Sequence, residues 1–207
     1  MKTLIIKYLP SGESSNTKKI LDVFLSKIEK SSIEFVDLLK TEIPIFNEQN
    51  INAYYKRNYH NQNLNPEEAK LLEKNDALIK QLKSASIVVL VTPMHNFGFP
   101  ALMKAYIDAT TFNNETFSYD KKMMAGKKIL TIFSSVGEYP NDTFNLNYPN
   151  WNSIALTAHA TFNFMGFDEV KTIGTSLRSI TIGEENAKKN LTNISIEIEN
   201  IVKEWYK

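Results

Sequence analysis

Three short stretches of this chain carry groups suited to binding rather than to bond-making. Ser14-Ser15-Asn16-Thr17 gathers three hydroxyls and an amide just before an apolar stripe at helical spacing, Ile20, Leu21, Phe24, Leu25 and Ile28. At a helix amino terminus the unpaired N–H groups and the dipole favour a phosphate dianion, although the same residues also make an ordinary helix cap. No Gly-x-Gly-x-x-Gly and no Walker lysine pattern is present, so a phosphomonoester on hydroxyls and backbone fits better than a pyrophosphate on a glycine turn. Residues 94–99 offer backbone amides, His95, Asn96 and the rings of Phe97 and Phe99, directly after an unbroken apolar run at 87–91. A planar, apolar, hydrogen-bonding ligand suits those groups. Ser134-Ser135-Val136-Gly137 brings small residues and backbone groups that can read the edge of a heteroaromatic ring or make a plain polar turn.

The elements that must hold these stretches alternate in type. Residues 3–8, 33–38, 87–91, 128–133 and 170–175 read as strands. The run at 87–91 is apolar without alternation and β-branched, as a strand covered on both faces requires, and Pro93 ends it. Helices are expected after Thr17, from Pro66 with Ala69, Leu72, Leu78 and Leu82 inward, from Pro100, and over 151–164. A closing helix carries the stripe Ala187, Leu191, Ile194, Ile198, Ile201, Val202 and Trp205. Parallel neighbours need crossovers of this length, so five strands alternating with five helices predict one α/β domain over residues 1–207, a doubly wound parallel sheet with helices on both faces. Residues 41–65, rich in Asn and Tyr, exceed an ordinary connection and read as a site lid or a subunit contact.

Composition narrows the chemistry. The chain has no cysteine, which removes disulfides, thiolate nucleophiles, iron–sulfur ligation and Cys-zinc sites, so redox chemistry would require a bound cofactor. His60 and His159 have no second ligand-type residue at metal-binding spacing, and no metal site is predicted. A formal net charge of +1 with interspersed signs gives no footprint for nucleic acid or an anionic membrane. No run approaches the roughly 18 apolar residues of a membrane span, so a soluble, cytoplasmic protein is expected.

In a doubly wound sheet the loops after the first, third and fourth strands emerge at one edge. One phosphate site and two loops around a ring are what a flavin mononucleotide (FMN) needs. The chain also resembles a known family across nearly its whole length. Lys-x-Leu-x-x-Lys at 2–7, Asp37-Leu38 with Ile43-Pro44, Pro-Met-His-Asn-Phe at 93–97 within 85–105, Thr116-Phe117-x-Tyr119, Gly126-Lys127-Lys128 and Phe164-Met165-Gly166-Phe167 are similar to the FMN-dependent NADH azoreductases among the NAD(P)H:quinone oxidoreductases. The resemblance implies a flavodoxin-like fold, a homodimer with sites at the interface, and two-electron transfer from NADH or NADPH through FMN to quinones and azo compounds by a ping-pong cycle. It also implies Ser15, Asn16 and Thr17 for the phosphate, Met94, His95, Asn96 and Phe97 for the ring, and Ser134, Ser135, Val136 and Gly137 for its pyrimidine side.

The chain departs from the family pattern at four places. Leu9 stands where the family has a Ser, His95 where it has Tyr, and Ser134-Ser135-Val136-Gly137 where it often reads Ser-Arg-Gly-Gly; the segment between Tyr119 and Gly126 is short. Phe99, Phe117 and Tyr119 are expected as walls of an apolar acceptor slot, with core packing as the alternative, strongest for Phe99. His95 is the one histidine in a cofactor loop; ring packing is its expected part, proton donation to the acceptor the alternative. An electron carrier of the flavodoxin type is the competing function, but such carriers are usually strongly acidic and this chain is nearly neutral. A hydrolase would need an activated nucleophile or metal cluster, and neither pattern occurs.

Overall fold

Five strands pair in parallel in the computed structural model, which describes residues 1–29, 32–137 and 152–207. β1 (Thr3–Lys7), β2 (Ile33–Asp37), β3 (Ile87–Pro93), β4 (Lys128–Ser135) and β5 (Glu169–Ser176) lie in the order β2-β1-β3-β4-β5. β1 and β3 are apolar on both faces because both faces are covered. Leu4, Ile6, Val88 and Leu90 pack on one side, and Ile5, Val89 and Val91 on the other. The first side meets α3 (Pro66–Ser84), α4 (Ala101–Thr110) and α5 (Ser153–Met165) through Leu82, Met103, Tyr106 and Phe162; the second meets α1 (Asn16–Lys27) and α7 (Glu184–Trp205) through Phe24, Ile194 and Ile198.

Residues 41–65 are not a bare loop. They contain α2 (Glu48–Asn58), opened by a capping box in which the Asn47 side chain accepts from the Asn50 N–H and Asn50 Oδ1 accepts from the Asn47 N–H. Ala53 and Tyr54 of α2 join Leu72, Ile79 and Phe112 in a separate small core, so the insertion is welded to the body of its own chain. A short α6 (Ser179–Ile182) precedes α7 and is the second helix the periodicity did not predict. On α3, Ala69 is exposed and Asn75 takes a buried place instead, donating to the Ala109 carbonyl at 3.0 Å. Helix α5 begins at Ser153, with the Asn152 side chain accepting from the Ala155 N–H; Trp151, its expected start, lies outside the described residues.

β5 is anchored at its amino end by Glu169. Its carboxylate lies 2.6 Å from Lys128 Nζ and accepts from Trp205 Nε1 at 2.8 Å. The Lys128 ammonium first, and the indole N–H after it, hold this carboxyl at about 2 against a usual 4.5, while burial opposes them. A carboxyl depressed in the folded state adds stability that is complete above its unfolded value and disappears as pH falls through the folded one. Glu169→Gln is therefore expected to lower stability at neutral pH and to flatten its decline between pH 4.5 and 2. Urea unfolding at several pH values checks this; parallel curves for the two proteins would contradict it.

Candidate functional site

The loops after β1, β3 and β4 meet at the carboxyl edge of the sheet, beside the point where the strand order reverses between β1 and β3, the place where open α/β sheets bind ligands. The chain leaves β1 through Leu9, which is buried in the core, and makes a single 3-10 turn over Gly12–Ser14. Ser15 then caps α1, its hydroxyl accepting from the Lys18 N–H at 3.3 Å. Thr17 faces inward, and its hydroxyl lies 2.6 Å from Ser134 Oγ at the end of β4, both buried. That bond joins residues 117 apart in the chain and ties the start of α1 to the end of β4.

The β3 loop is a tight reverse turn. His95 N–H donates to the Gly98 carbonyl at 3.0 Å and Gly98 N–H returns to the His95 carbonyl at 2.9 Å. The two central residues, Asn96 and Phe97, both have positive φ, 47° and 68°. A two-residue hairpin turn with both centres left-handed is type I′, which Asn enters readily and Phe does not, at a cost of roughly 1–2 kcal/mol. Neighbouring structure holds it there: the Phe97 carbonyl accepts from the Ser153 N–H at 3.1 Å and from the Ser153 hydroxyl, and Met94 N–H donates to the Ser134 carbonyl at 2.8 Å. Residues held in such sparsely populated backbone regions cluster at functional sites. Phe97→Gly is expected to be more stable than Phe97→Val by about 1–2 kcal/mol in urea unfolding, although Val keeps more apolar surface. The reverse order would mean that the side chain's packing governs the turn.

The three loops enclose one cavity of about 280 Å³. Ser15, Asn16 and Thr17 line it from β1, Met94 and His95 from β3, and Ser134, Ser135 and Val136 from β4. Asn96, Phe97 and Gly137 stand outside its lining; Phe97 is 46% exposed, and the Gly137 carbonyl accepts from Ser135 Oγ at 2.6 Å. The ring of His95 lies edge-on to Tyr8 with centroids 5.9 Å apart.

The three expected slot residues do not line this cavity. Phe99 packs half-buried against the core, and Phe117 is 6% exposed within it. Phe117 turns inward because its turn is bonded from inside: Thr116 Oγ1 donates to the Thr110 carbonyl at 2.6 Å, and the buried amide of Asn113 donates to the Asn58 carbonyl at 3.1 Å. Tyr119 is 77% exposed and packs with Phe117 against Phe164 of α5, at centroid distances of 5.8 Å and 5.0 Å from that ring. Phe117, Tyr119 and Phe164 form one aromatic cluster, exposed at Tyr119 and Phe164, and Phe164 was not among the expected walls. Arg178, after β5, lines the cavity and was also not expected; its signal was its place two residues past a strand end.

Strand order and loop placement define a flavodoxin-like protein, and the profile of the flavodoxin-like fold matches residues 1–198. Among curated relatives, an FMN-dependent NADH:quinone oxidoreductase 1 of Bacillus anthracis is 29% identical, over 96% of each chain. An FMN-dependent NADH:quinone oxidoreductase of Hydrogenovibrio crunogenus is 32% identical over 67% of this chain and 72% of its own. A solved FMN-dependent NADH-azoreductase from Bacillus anthracis, in complex with FMN, superimposes with a TM-score of 0.77 at 27% identity, over 98% of each chain. The chain belongs to the flavodoxin-like family of these NADH:quinone oxidoreductases and azoreductases, and it is an oxidoreductase.

Proposed function

We propose that this protein binds FMN in the cavity at the carboxyl edge and uses it to move two electrons from NADH or NADPH to quinones and azo compounds. The observation that carries this reading is the convergence of three loops on one cavity, tied together by the Thr17–Ser134 bond. The residues fit the group. Ser15, Asn16 and Thr17 at the start of α1 suit the phosphate, and the Thr17–Ser134 hydroxyl pair uses one proton between its two oxygens and leaves the other to donate. Met94, His95, Asn96 and Phe97 would flank the ring, and Ser134, Ser135, Val136 and Gly137 its pyrimidine side. Bound FMN supplies the hydride and two-electron chemistry that no side chain of a cysteine-free chain offers.

The chain's own work is placement. The left-handed turn at Asn96 and Phe97 is fixed by its neighbours and would present its backbone to the bound ring without needing to move when charge develops, which is how preorganised dipoles lower a barrier. Donor and acceptor then occupy the exposed side of the site in turn, the ping-pong order. His95 contributes ring packing, and the exposed Tyr119 and Phe164, backed by the buried Phe117, shape the apolar approach for the acceptor. Leu156 and Phe164 of α5 are exposed, and Tyr119 extends the apolar area, so we infer a homodimer that covers it. No helix among the described residues is long and apolar enough to cross a membrane, and we place the protein in the cytoplasm with its pyridine nucleotide donors.

The test is direct. Purified protein mixed with FMN should show a flavin spectrum altered by binding, and NADH should be consumed when a benzoquinone or an azo dye is added. Flavin binding without NADH oxidation would favour the single-electron carrier, and absence of binding would end the flavin reading.

A further inference from the structure

We propose that Arg178 is the counter-charge for the phosphate of the bound flavin nucleotide, and that it makes the cavity prefer the phosphorylated flavin to the bare one. The inference rests on the flavin reading above but assigns a residue outside the three loops. Among the described residues lining the cavity, Arg178 is the only Arg, Lys, Asp or Glu. The β4 loop itself, Ser134-Ser135-Val136-Gly137, brings no charge.

Its position follows from the sheet. β5 runs in register with β4, Ser134 opposite Thr175 and Ser135 opposite Ser176. Ser176 Oγ donates to the Val136 carbonyl at 2.7 Å, and Asn190 Nδ2 donates to the Ser176 carbonyl at 3.0 Å, so the chain leaves β5 clamped beside the β4 loop. The Arg178 carbonyl then accepts from the N–H of Thr181 at 2.9 Å, which turns the chain back toward α7. Because Thr17 bonds to Ser134, the start of α1 lies over the end of that same β4 strand. Arg178 and the helix terminus thus border one cavity from adjacent elements.

Charge balance asks for such a residue. A phosphomonoester carries about −1.5 to −2 at neutral pH, whereas a helix terminus offers about +0.5. Serine and threonine hydroxyls donate hydrogen bonds but no net charge. Lys18, on the first turn of α1, is engaged by Asp22 at 2.8 Å and Glu13 at 3.3 Å. Among the described residues no carboxylate pairs with Arg178, which leaves its planar fork available for phosphate oxygens.

The experiment compares FMN with riboflavin, titrated by flavin fluorescence against wild type, Arg178→Gln and Arg178→Lys. Arg178→Gln should bind FMN about 10-fold more weakly, leave riboflavin unchanged and show a shallower salt dependence for FMN. Arg178→Lys, which keeps the charge, should recover most of the loss. Equal losses for both flavins, or an unchanged preference for FMN, would overturn the assignment while leaving the flavin reading intact. Wild type that binds neither flavin would overturn that reading and the assignment with it.

Discussion

Replacing Ser15 and Thr17 together by alanine is expected to weaken FMN binding by roughly 10²- to 10⁴-fold, because hydrogen bonds to a charged group are worth roughly 1.5–3 kcal/mol each and two donors are removed. Riboflavin should lose far less. The geometry sharpens the interpretation, since the Thr17 hydroxyl has two duties. It meets Ser134 Oγ at 2.6 Å in a buried contact, so its loss also slackens the link between α1 and β4. Thr17→Ser keeps the hydroxyl and should retain most of the affinity, whereas Thr17→Val fills the space and removes the bond. Isothermal titration with both flavins separates these effects. A double variant that loses FMN and riboflavin equally would place the phosphate somewhere other than the start of α1.

Gly174→Ala is expected to cost about 3 kcal/mol, the upper end for overpacking a core. Gly174 sits opposite Phe133 across the β4–β5 pair, and a Cβ built there would lie 2.2 Å from Cε1 and Cζ of the Phe133 ring. Phe133 is itself buried, so its ring cannot swing aside cheaply. The residue after it is Ser134, and a shift of the ring would be felt at the Thr17 bond. FMN affinity should therefore fall together with stability. Phe133→Leu makes the cause visible. On its own it removes packing and destabilises, but combined with Gly174→Ala it should restore part of the loss, giving a favourable coupling in the double-mutant cycle. Additive losses in urea unfolding would show that the ring is not what excludes the methyl group.

The elements that were legible before any coordinates are those whose burial leaves a period in the chain. β3 read as a buried strand because both its faces are covered, and α7 because Ile194, Ile198, Ile201 and Trp205 recur on one face. α2 escaped because its buried side holds Asn50 and Asn58 beside Ala53 and Tyr54. Asn58 is satisfied by donating to the Asn113 carbonyl at 2.8 Å, a partner that no local pattern announces. Its local signals were the Asn47-x-x-Asn50 capping box, Glu48 in the first turn and Lys56 and Arg57 in the last. Asn113, Asn114 and Glu115 before Phe117 suggest an open turn, yet Asn113 and Asn114 donate to the Asn58 carbonyl and Thr116 to the Thr110 carbonyl, and the ring lies in the core.

The alternation of strands with helices and the polar make-up of each candidate loop were properties of the sequence by itself, since each depends on residues within about one element of each other, and the family resemblance was carried by short motifs spaced along the whole chain. Which loops share a cavity was decided by the tertiary structure. Strand order is set by long-range packing, and here it lays β4 between β3 and β5, so that Ser134 meets Thr17 on one side and the chain leaving β5 brings Arg178 up on the other. Residues separated by such distances along the chain leave no mark on local spacing, because the contact between them carries a loop-closure cost that is offset only once the sheet that joins them has formed.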